Sequence, residues 1–390
     1  MEGDIAQSVL ELLADNDPTA MTEREFLGAR FDKGLAWVNY PVGAGGLGAP
    51  RHCQDDLEDR LVVAGAVRPQ VWRNPIGLGM AAPTIVTHGN ERHLRLLRPL
   101  WTGEDIWCQL FSEPGAGSDL ASVATRAVAD SGRWIINGQK VWTSGAHRAR
   151  WGLLLARTDP HLPKHQGLTF FILDMALPGI DVKPLRQATG QAEFNEVFLT
   201  DVSVPDNMRV GGVGQGWTVA LTTLLNERSD AGGATAREDQ NIGRLAALWR
   251  ARPELRNPAL HHLVLQAWVD TEVTRITSEY FTQIAGDGPP GLEGAGAKVM
   301  FAENNQAITR LMTQLDPDST LHYDSWDIDG QSCDPFDPSR PYTFHYLRSR
   351  AYSVEGGTTE ILLNQIADRV LNLPREPRID IATPWKDLPK

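Results

Sequence analysis

Four stretches of this 390-residue chain carry side chains in combinations that suit chemistry. Residues 109–120 read QLFSEPGAGSDL. A glycine-rich turn that contains serine and aspartate lets backbone approach a ligand closely and offers N–H and hydroxyl donors. About twenty residues on, Trp142, Thr143 and Ser144 follow one another in RWIINGQKVWTSGAHRARWGLLLARTD. A tryptophan beside two hydroxyls can stack on a flat ring and hydrogen-bond its polar edge; by pattern alone it equally suits a buried tryptophan of a β core. The third and fourth stretches carry carboxylates. Glu227 stands beside Arg228 in LLNER, and Glu355 precedes Gly356-Gly357-Thr358. A carboxylate in a dry pocket can act as a general base, whereas Glu227-Arg228 on its own reads as a solvated helix pair.

These residues need elements to position them. The first hundred residues carry helical spacing in QSVLELLA and QDDLEDRLVVAGA, and ERHLRLLRPLW predicts a third helix. From Ile106 to about Val210 the pattern becomes short β-rich runs: IWCQLF, RWIING, KVWTS, WGLLLART, GLTFFIL, VKPL and EVFLTDVSV. Asn137-Gly138 predicts a hairpin turn ahead of the strand with Trp142, and Pro178-Gly179 another turn. Many short strands with regular turns indicate a β-barrel or sandwich of about 100 residues. Helical periodicity returns in WTVALTTLLNERSDAGGATARED, LHHLVLQAWVDTEVTRITSEYFTQI and GAGAKVMFAENNQAITRLMTQL. A polar loop is expected between Asp316 and Pro341, and a last helix over GGTTEILLNQIADRVLNL. The expected division is 1–105 helical, 106–210 β, and 211–390 helical.

Composition narrows the function classes. Hydrophobic residues make up 42% and the net charge is −12, which argues against nucleic acid or an anionic membrane as the main partner. No apolar run is long enough for a membrane span, and the acidic start MEGDIAQSVLELLADNDP lacks the features of a signal peptide. Cys53, Cys108 and Cys333 are far apart and odd in number, so a reducing cytoplasm is expected. No metal site is expected: Leu-Pro-Lys separates His161 from His165, which reads both as loop residues. Gly43-Ala44-Gly45-Gly46-Leu47-Gly48 fits G-x-G-x-x-G letter for letter. Pro50 follows it, no acid lies between Asp59 and Asn90, and βαβ alternation is missing, so a tight surface turn is the expectation.

Taken together, SEPGAGSD followed by INGQKVWTSGA resembles the acyl-CoA dehydrogenase family, in an actinobacterial-type branch of it. The resemblance runs over nearly the whole chain, through YPVGAGGLGAP, NEVFLTDVSVPDNMRVGGVGQGW and RSRAYSVEGGTTEILLNQIADRVLNLPREPR. It implies a mainly α fold with an N-terminal helical domain, a middle β-barrel and a C-terminal four-helix bundle. It also implies FAD as cofactor and α,β-dehydrogenation of an acyl-CoA thioester to a 2-enoyl-CoA, with electrons passed to an electron-transfer flavoprotein. A flavin-dependent oxidase of the same fold, or a subunit of a heteromeric acyl-CoA dehydrogenase with a partly structural role, is the alternative within the family. Carried over by motif, Gln109, Phe111 and Ser112 line the flavin, and Gly117 and Ser118 approach its pyrophosphate, Ser118 also reaching substrate. Trp142 packs on the isoalloxazine with Thr143 beside it, and Ser144 bonds near N5. Thr358 and Glu360 contact the adenosine half.

The resemblance also frames the choice of base. Many relatives place it immediately before the Gly-Thr pair, which here is Gly356. Glu355 falls one residue early. Other relatives have a small residue there and carry the base on a bundle helix in an L-x-x-E-R-like setting, which Leu224-Leu225-Asn226-Glu227-Arg228 matches. Glu227 is therefore the expected base, and the Gly356 N–H an expected donor to the thioester carbonyl. Arg228 reads as a substrate-pocket residue or as a structural ion pair. Two family motifs are missing: R-x-x-F-G, whose stretch here is ELRNPALHHLVLQAW with His261 and His262, and Q-x-F-G-G-x-G. Either this branch holds FAD differently in a homodimer or homotetramer, or the chain is one subunit of a heterotetramer whose partner supplies the missing contacts.

Overall fold

The computed structural model describes residues 2–69, 73–229, 240–285, 293–321, 337, 339–375, 377 and 380–389. The chain divides into two units. The first holds Met1–Pro184, Phe194–Thr223 and Arg378–Lys390; the second holds Leu185–Glu193 and Leu224–Pro377.

The first unit begins with α1 (Glu2–Asp15), α2 (Glu23–Asp32) and α3 (Cys53–Val63). Thr22 and Glu25 close a reciprocal cap on α2, satisfying backbone N–H groups that the helix leaves without partners. Ile5, Val9, Leu12, Phe26, Leu57 and Leu61 bury a shared core. A π-helical turn, Gly77–Ala81, leads into α4 (Ala82–His88), followed by α5 (Glu91–Leu94) and α6 (Leu97–Thr102). The single helix expected over ERHLRLLRPLW is thus two. Pro99 has no N–H to continue the ladder and sits in the first turn of the second helix, where none is needed. The glycine motif at 43–48 is a tight turn between α2 and α3, as expected, but Ala44, Gly45 and Gly46 at its centre are buried, not superficial. A Cβ on Gly46 would stand 2.1 Å from the Tyr40 carbonyl oxygen, so close packing inside the chain accounts for that glycine.

Eight strands follow: β1 (Trp107–Leu110), β2 (Arg126–Asp130), β3 (Arg133–Ser144), β4 (Trp151–Arg157), β5 (Leu168–Asp174), β6 (Ile180–Pro184), β7 (Phe194–Pro205) and β8 (Arg209–Val210). They form one sheet in the order β6-β7-β3-β2-β4-β5-β8, with β1 paired to β4. The end strands β6 and β8 do not pair with each other, so this is an open sheet and not the closed barrel expected from the strand pattern. RWIING and KVWTS are one continuous strand, β3. The hairpin turn is Ser131-Gly132, both with positive φ, because Asp130 pairs with Arg133 across a two-residue loop. Asn137-Gly138 is no turn. It lies inside β3 at a register shift, where a Cβ on Gly138 would meet Thr125 Oγ1 at 2.3 Å. His161 and His165 are loop residues. Buried Asn74 joins the helices to the sheet, donating to the carbonyls of Leu100 and Asp105 and accepting from Trp107 N–H.

α7 (Gly216–Ser229) starts in the first unit, and the boundary falls within it. Residues 230–239, over which the helical pattern was expected to continue, lie outside the described residues. The second unit continues with α8 (Asn241–Ala251), α9 (Pro258–Ala285), α10 (Glu293–Leu315), α11 (Pro317–Thr320), α12 (Tyr342–Ser349) and α13 (Thr359–Arg369). Ile242, Leu245, Val264, Ile308 and Met312 make a core common to α8, α9 and α10. Ala295, Val299 and Leu362 join α10 to α13. Most of the loop expected between Asp316 and Pro341, with Cys333 in it, lies outside the described residues. Among the described residues no helix is long and apolar enough to cross a membrane.

Candidate functional site

The QLFSEPGAGSDL stretch hangs on β3 through a buried ion pair that sequence reading passed over. Lys140 is fully buried; its ammonium donates to the Phe111 carbonyl (2.9 Å), to Glu113 Oε1 (2.8 Å) and to the Leu155 carbonyl (2.8 Å). The Glu113 carboxylate also accepts from Ala124 N–H (2.7 Å) and Thr125 N–H (2.9 Å). Burial pushes the Glu113 carboxyl up, but the Lys140 charge and these donors outweigh it and hold it below the ordinary carboxylate value. Burial is likewise the main influence on Lys140, which lies below the ordinary lysine value despite Glu113. The only sequence signal for this pair was a lysine and a glutamate inside the two motifs.

The pair brings the two motifs together. Val141 N–H donates to the Ser112 carbonyl (2.9 Å), and Glu113 and Ala116 exchange backbone hydrogen bonds across Pro114-Gly115. Gln109 is half-buried on β1, Phe111 is buried against Phe170, and Ser112 is half-buried. Gly117 and Ser118 are exposed at the loop's crest. A Cβ on Gly115 or Gly117 would meet nothing within 4 Å, so packing against the described residues does not account for these glycines.

Trp142 has the least ordinary geometry. It occupies the left-handed region (φ +60°) at a bulge where β3 carries one residue more than β7 between Lys140 and Thr143. A bulky side chain there costs about 1–2 kcal/mol. The bulge turns the indole outward, 57% exposed, edge-on to Phe194 with ring centroids 5.9 Å apart. Of the two expected readings, a buried core tryptophan is excluded. Thr143 next to it is fully buried, and its hydroxyl has no hydrogen-bond partner among the described residues. An orphaned buried hydroxyl costs about 1–3 kcal/mol. Ser144 is half-buried and pairs with Phe194 in the sheet. An outward indole, an orphaned hydroxyl and an open glycine crest together fit a flat ring with a polar edge and a phosphate-bearing tail.

In the second unit, Gly356 (φ +64°) and Gly357 (φ +97°) make a left-handed turn before α13. Lys298 on α10, itself buried, donates to the Gly357 carbonyl at 2.7 Å and fixes that turn, a role the sequence did not signal. Thr358 accepts from Ile361 N–H as the helix cap, so its hydroxyl is engaged in the fold, and Glu360 is exposed in the first helical turn. Both oxygens of Glu355 are taken by Arg348, at 3.0 Å and 2.9 Å, which leaves that carboxylate committed to an ion pair. Glu227 and Arg228 lie on α7, and their side chains fall outside the described residues. Among the described residues no group of three or more His, Cys, Asp or Glu side chains is placed to hold a metal ion.

Comparison with known proteins gives the family. Residues 108–202 match the acyl-CoA dehydrogenase middle domain, and residues 214–371 match the acyl-CoA dehydrogenase C-terminal domain. The chain is 37% identical to acyl-CoA dehydrogenase FadE34 of Mycobacterium tuberculosis over 374 residues, 95% of this chain and 48% of that protein, so it spans about half of that relative's length. It is 36% identical to acyl-CoA dehydrogenase IpdE1 of the same organism over 319 residues, covering 78% of this chain and 77% of that one. Its fold is similar to that of a Tcur3481-Tcur3483 steroid ACAD variant, with a TM-score of 0.71, 23% identity, 96% of this chain and 100% of that one. It is similar in fold to a chain of the ChsE4-ChsE5 complex from Mycobacterium tuberculosis as well, with a TM-score of 0.70, 22% identity and 96% of each chain. With the motifs, the sheet-anchored loop and these matches in agreement, the chain belongs to the acyl-CoA dehydrogenase family.

Proposed function

We propose that this chain is an FAD-dependent acyl-CoA dehydrogenase that converts an acyl-CoA thioester to a 2-enoyl-CoA and passes the electrons to an electron-transfer flavoprotein. The observation that carries this reading is the Trp142–Thr143 pair: a strained backbone presents an indole outward beside a buried hydroxyl without a partner among the described residues. When bound, FAD supplies the hydride acceptor for the substrate Cβ hydrogen. Gln109, Phe111 and Ser112 line the ring, Trp142 covers its face, and the Thr143 and Ser144 hydroxyls bond its polar edge. Gly117 and Ser118 receive the pyrophosphate with backbone and hydroxyl donors, Ser118 also bordering the substrate. Thr358 and Glu360 border the adenosine half, Thr358 through its backbone because its hydroxyl caps α13.

Glu227 takes the Cα proton as its carboxylate, and the Gly356 N–H polarises the thioester carbonyl, which makes that proton more acidic. Arg228 borders the substrate. Glu355 is a poor rival because Arg348 occupies both its oxygens. A glutamate at Gly356 would be strained by that position's left-handed backbone, which agrees with a base placed elsewhere. We assign 1–105 and 106–210 as helical and β domains that shape the flavin and acyl sites, the second an open sheet, and 211–390, apart from the 380–389 segment that returns to the sheet, as a four-helix-bundle-type domain. Leu265, Val269, Ile276, Tyr280 and Ile284 are exposed along one stripe of α9, which supports association with a second acyl-CoA dehydrogenase-like chain, identical or different. Purified protein should absorb near 450 nm and bleach anaerobically with one member of a panel of linear, branched, aromatic and steroid-side-chain CoA thioesters. A colourless protein that takes up no FAD would sink the proposal.

A further inference from the structure

Residues 380–389 return to the sheet beside the loop that carries Gly117 and Ser118. Pro384 bridges Pro163, Trp385 N–H donates to the Leu162 carbonyl (2.9 Å), and Lys386 N–H donates to the Pro160 carbonyl (3.1 Å). The Trp385 indole N–H reaches the Ser122 carbonyl at 3.2 Å. The Arg157 guanidinium lies over the same indole, 4.5 Å from its centroid. Arg157 is buried, and it donates to the carbonyls on either side of Ser122: Ala121 at 2.6 Å and Val123 at 3.1 Å. The next two N–H groups, of Ala124 and Thr125, belong to Glu113. Lys164 ties Asp119 (2.7 Å) to Asp380 (2.8 Å).

Each residue from 121 to 125 therefore has a backbone group held by a side chain. Only one of those side chains, Trp385, comes from outside the sheet and its loops. It also covers the guanidinium that holds two of the carbonyls. Without it Arg157 would meet water on that face, and its fork would no longer be confined to the turn.

We propose that residues 380–389 are a strap that fixes the Asp119–Thr125 turn, and with it the Gly115–Ser118 crest, in the shape that receives the FAD pyrophosphate, with Trp385 as the positioning residue. This inference rests on the flavin reading above. The strap makes no contact of its own with the cofactor; it acts through the turn.

The test uses the full chain with Trp385→Ala and Trp385→Phe. The first removes the ring and the N–H; the second keeps a ring over Arg157 and loses the N–H. FAD affinity is measured by titrating the apoprotein and following flavin fluorescence, and amide hydrogen exchange is measured over residues 115–125. Trp385→Ala should weaken FAD binding by about tenfold and Trp385→Phe by about threefold, with faster exchange over 119–125 in the same order. A contact that only adds global stability would leave FAD affinity unchanged well below the unfolding temperature. Wild-type affinity and wild-type exchange in either folded variant would overturn the strap. If Trp385→Ala does not fold, Trp385→Phe carries the test with the same criterion. A wild-type chain that binds no FAD would sink the flavin reading instead, and exchange over 119–125 would still decide whether the strap holds the turn.

Discussion

Lys140→Met tests whether the buried pair under the Ser112–Ser118 loop holds the two motifs together. The lysine is fully buried and the glutamate side chain only 8% exposed, so solvent screens the pair little. Removing the ammonium leaves Glu113 as a buried carboxylate with two backbone donors, and strips the Phe111 and Leu155 carbonyls of a partner. Breaking one side of such a pair costs about 3–5 kcal/mol. The two remaining N–H donors to Glu113 place the expectation toward the lower end. Glu113→Gln in the Lys140→Met background removes the stranded charge and should recover at least about 1.5 kcal/mol of coupling. The assay is urea unfolding of the four proteins of the cycle, with flavin content measured in each. The sign with pH follows from the Glu113 carboxyl lying below its ordinary 4.5. Its contribution is fully present above about pH 4.5 and is lost as pH falls through the lowered native value; in Lys140→Met the Glu113 carboxyl loses its main lowering influence, so that acid loss should shrink. A Lys140→Met loss below about 1 kcal/mol, the range of an exposed pair, with unchanged flavin content, would refute the reasoning.

Three further outcomes follow from single observations. Thr143→Val removes a buried hydroxyl with no partner among the described residues, so the apoprotein should be as stable or more stable by about 1 kcal/mol, while FAD binds more weakly; a less stable apoprotein with unchanged FAD affinity would count against a hydroxyl kept for the ligand. Trp142→Gly relieves the left-handed backbone and gives up little buried surface, so apoprotein stability should hold or rise by about 1 kcal/mol as FAD affinity falls at least tenfold; unchanged affinity would remove Trp142 from the ring site. Burial, and then the Arg244 charge, push buried His345 down to about 4 from an ordinary 6.5. The unfolded chain therefore takes up the proton first, and stability should fall by roughly 3 kcal/mol between pH 6.5 and 4. A His345→Gln chain should lose most of that dependence in urea titrations at each pH, and an unaltered pH profile would contradict the assignment.

The sequence was most informative where chemistry sits in contiguous motifs. QLFSEPGAGSDL and VWTSGA are adjacent in the fold because Lys140 and Ser112 tie them together, and their order along the chain already implied a ligand loop beside a strand. Helix periodicity located α9, α10 and α13 well, since each buries one stripe in a shared core. The errors share a cause: local signals compete, and tertiary contacts decide. Asn137-Gly138 has the composition of a hairpin turn, yet Ser131-Gly132 takes it because its two-residue loop fits the pairing of β2 with β3, and Gly138 is needed against Thr125. Pairing between the first and last strands of a sheet leaves no mark on any one strand, so an open sheet could not be told from a barrel. The paired groups of the site, Glu113 with Lys140, Lys298 with Gly357 and Arg348 with Glu355, lie 27, 59 and 7 residues apart, beyond or outside any motif spacing.

The central claim is that this chain dehydrogenates an acyl-CoA with Glu227 as the base. The most direct measurement is anaerobic flavin bleaching at 450 nm by the thioester that reduces the wild type, compared in Glu227→Gln and Glu355→Gln. The account predicts that Glu227→Gln binds FAD and thioester but bleaches at least about a hundredfold more slowly, while Glu355→Gln bleaches at close to the wild-type rate. Normal bleaching by Glu227→Gln together with loss in Glu355→Gln would contradict it.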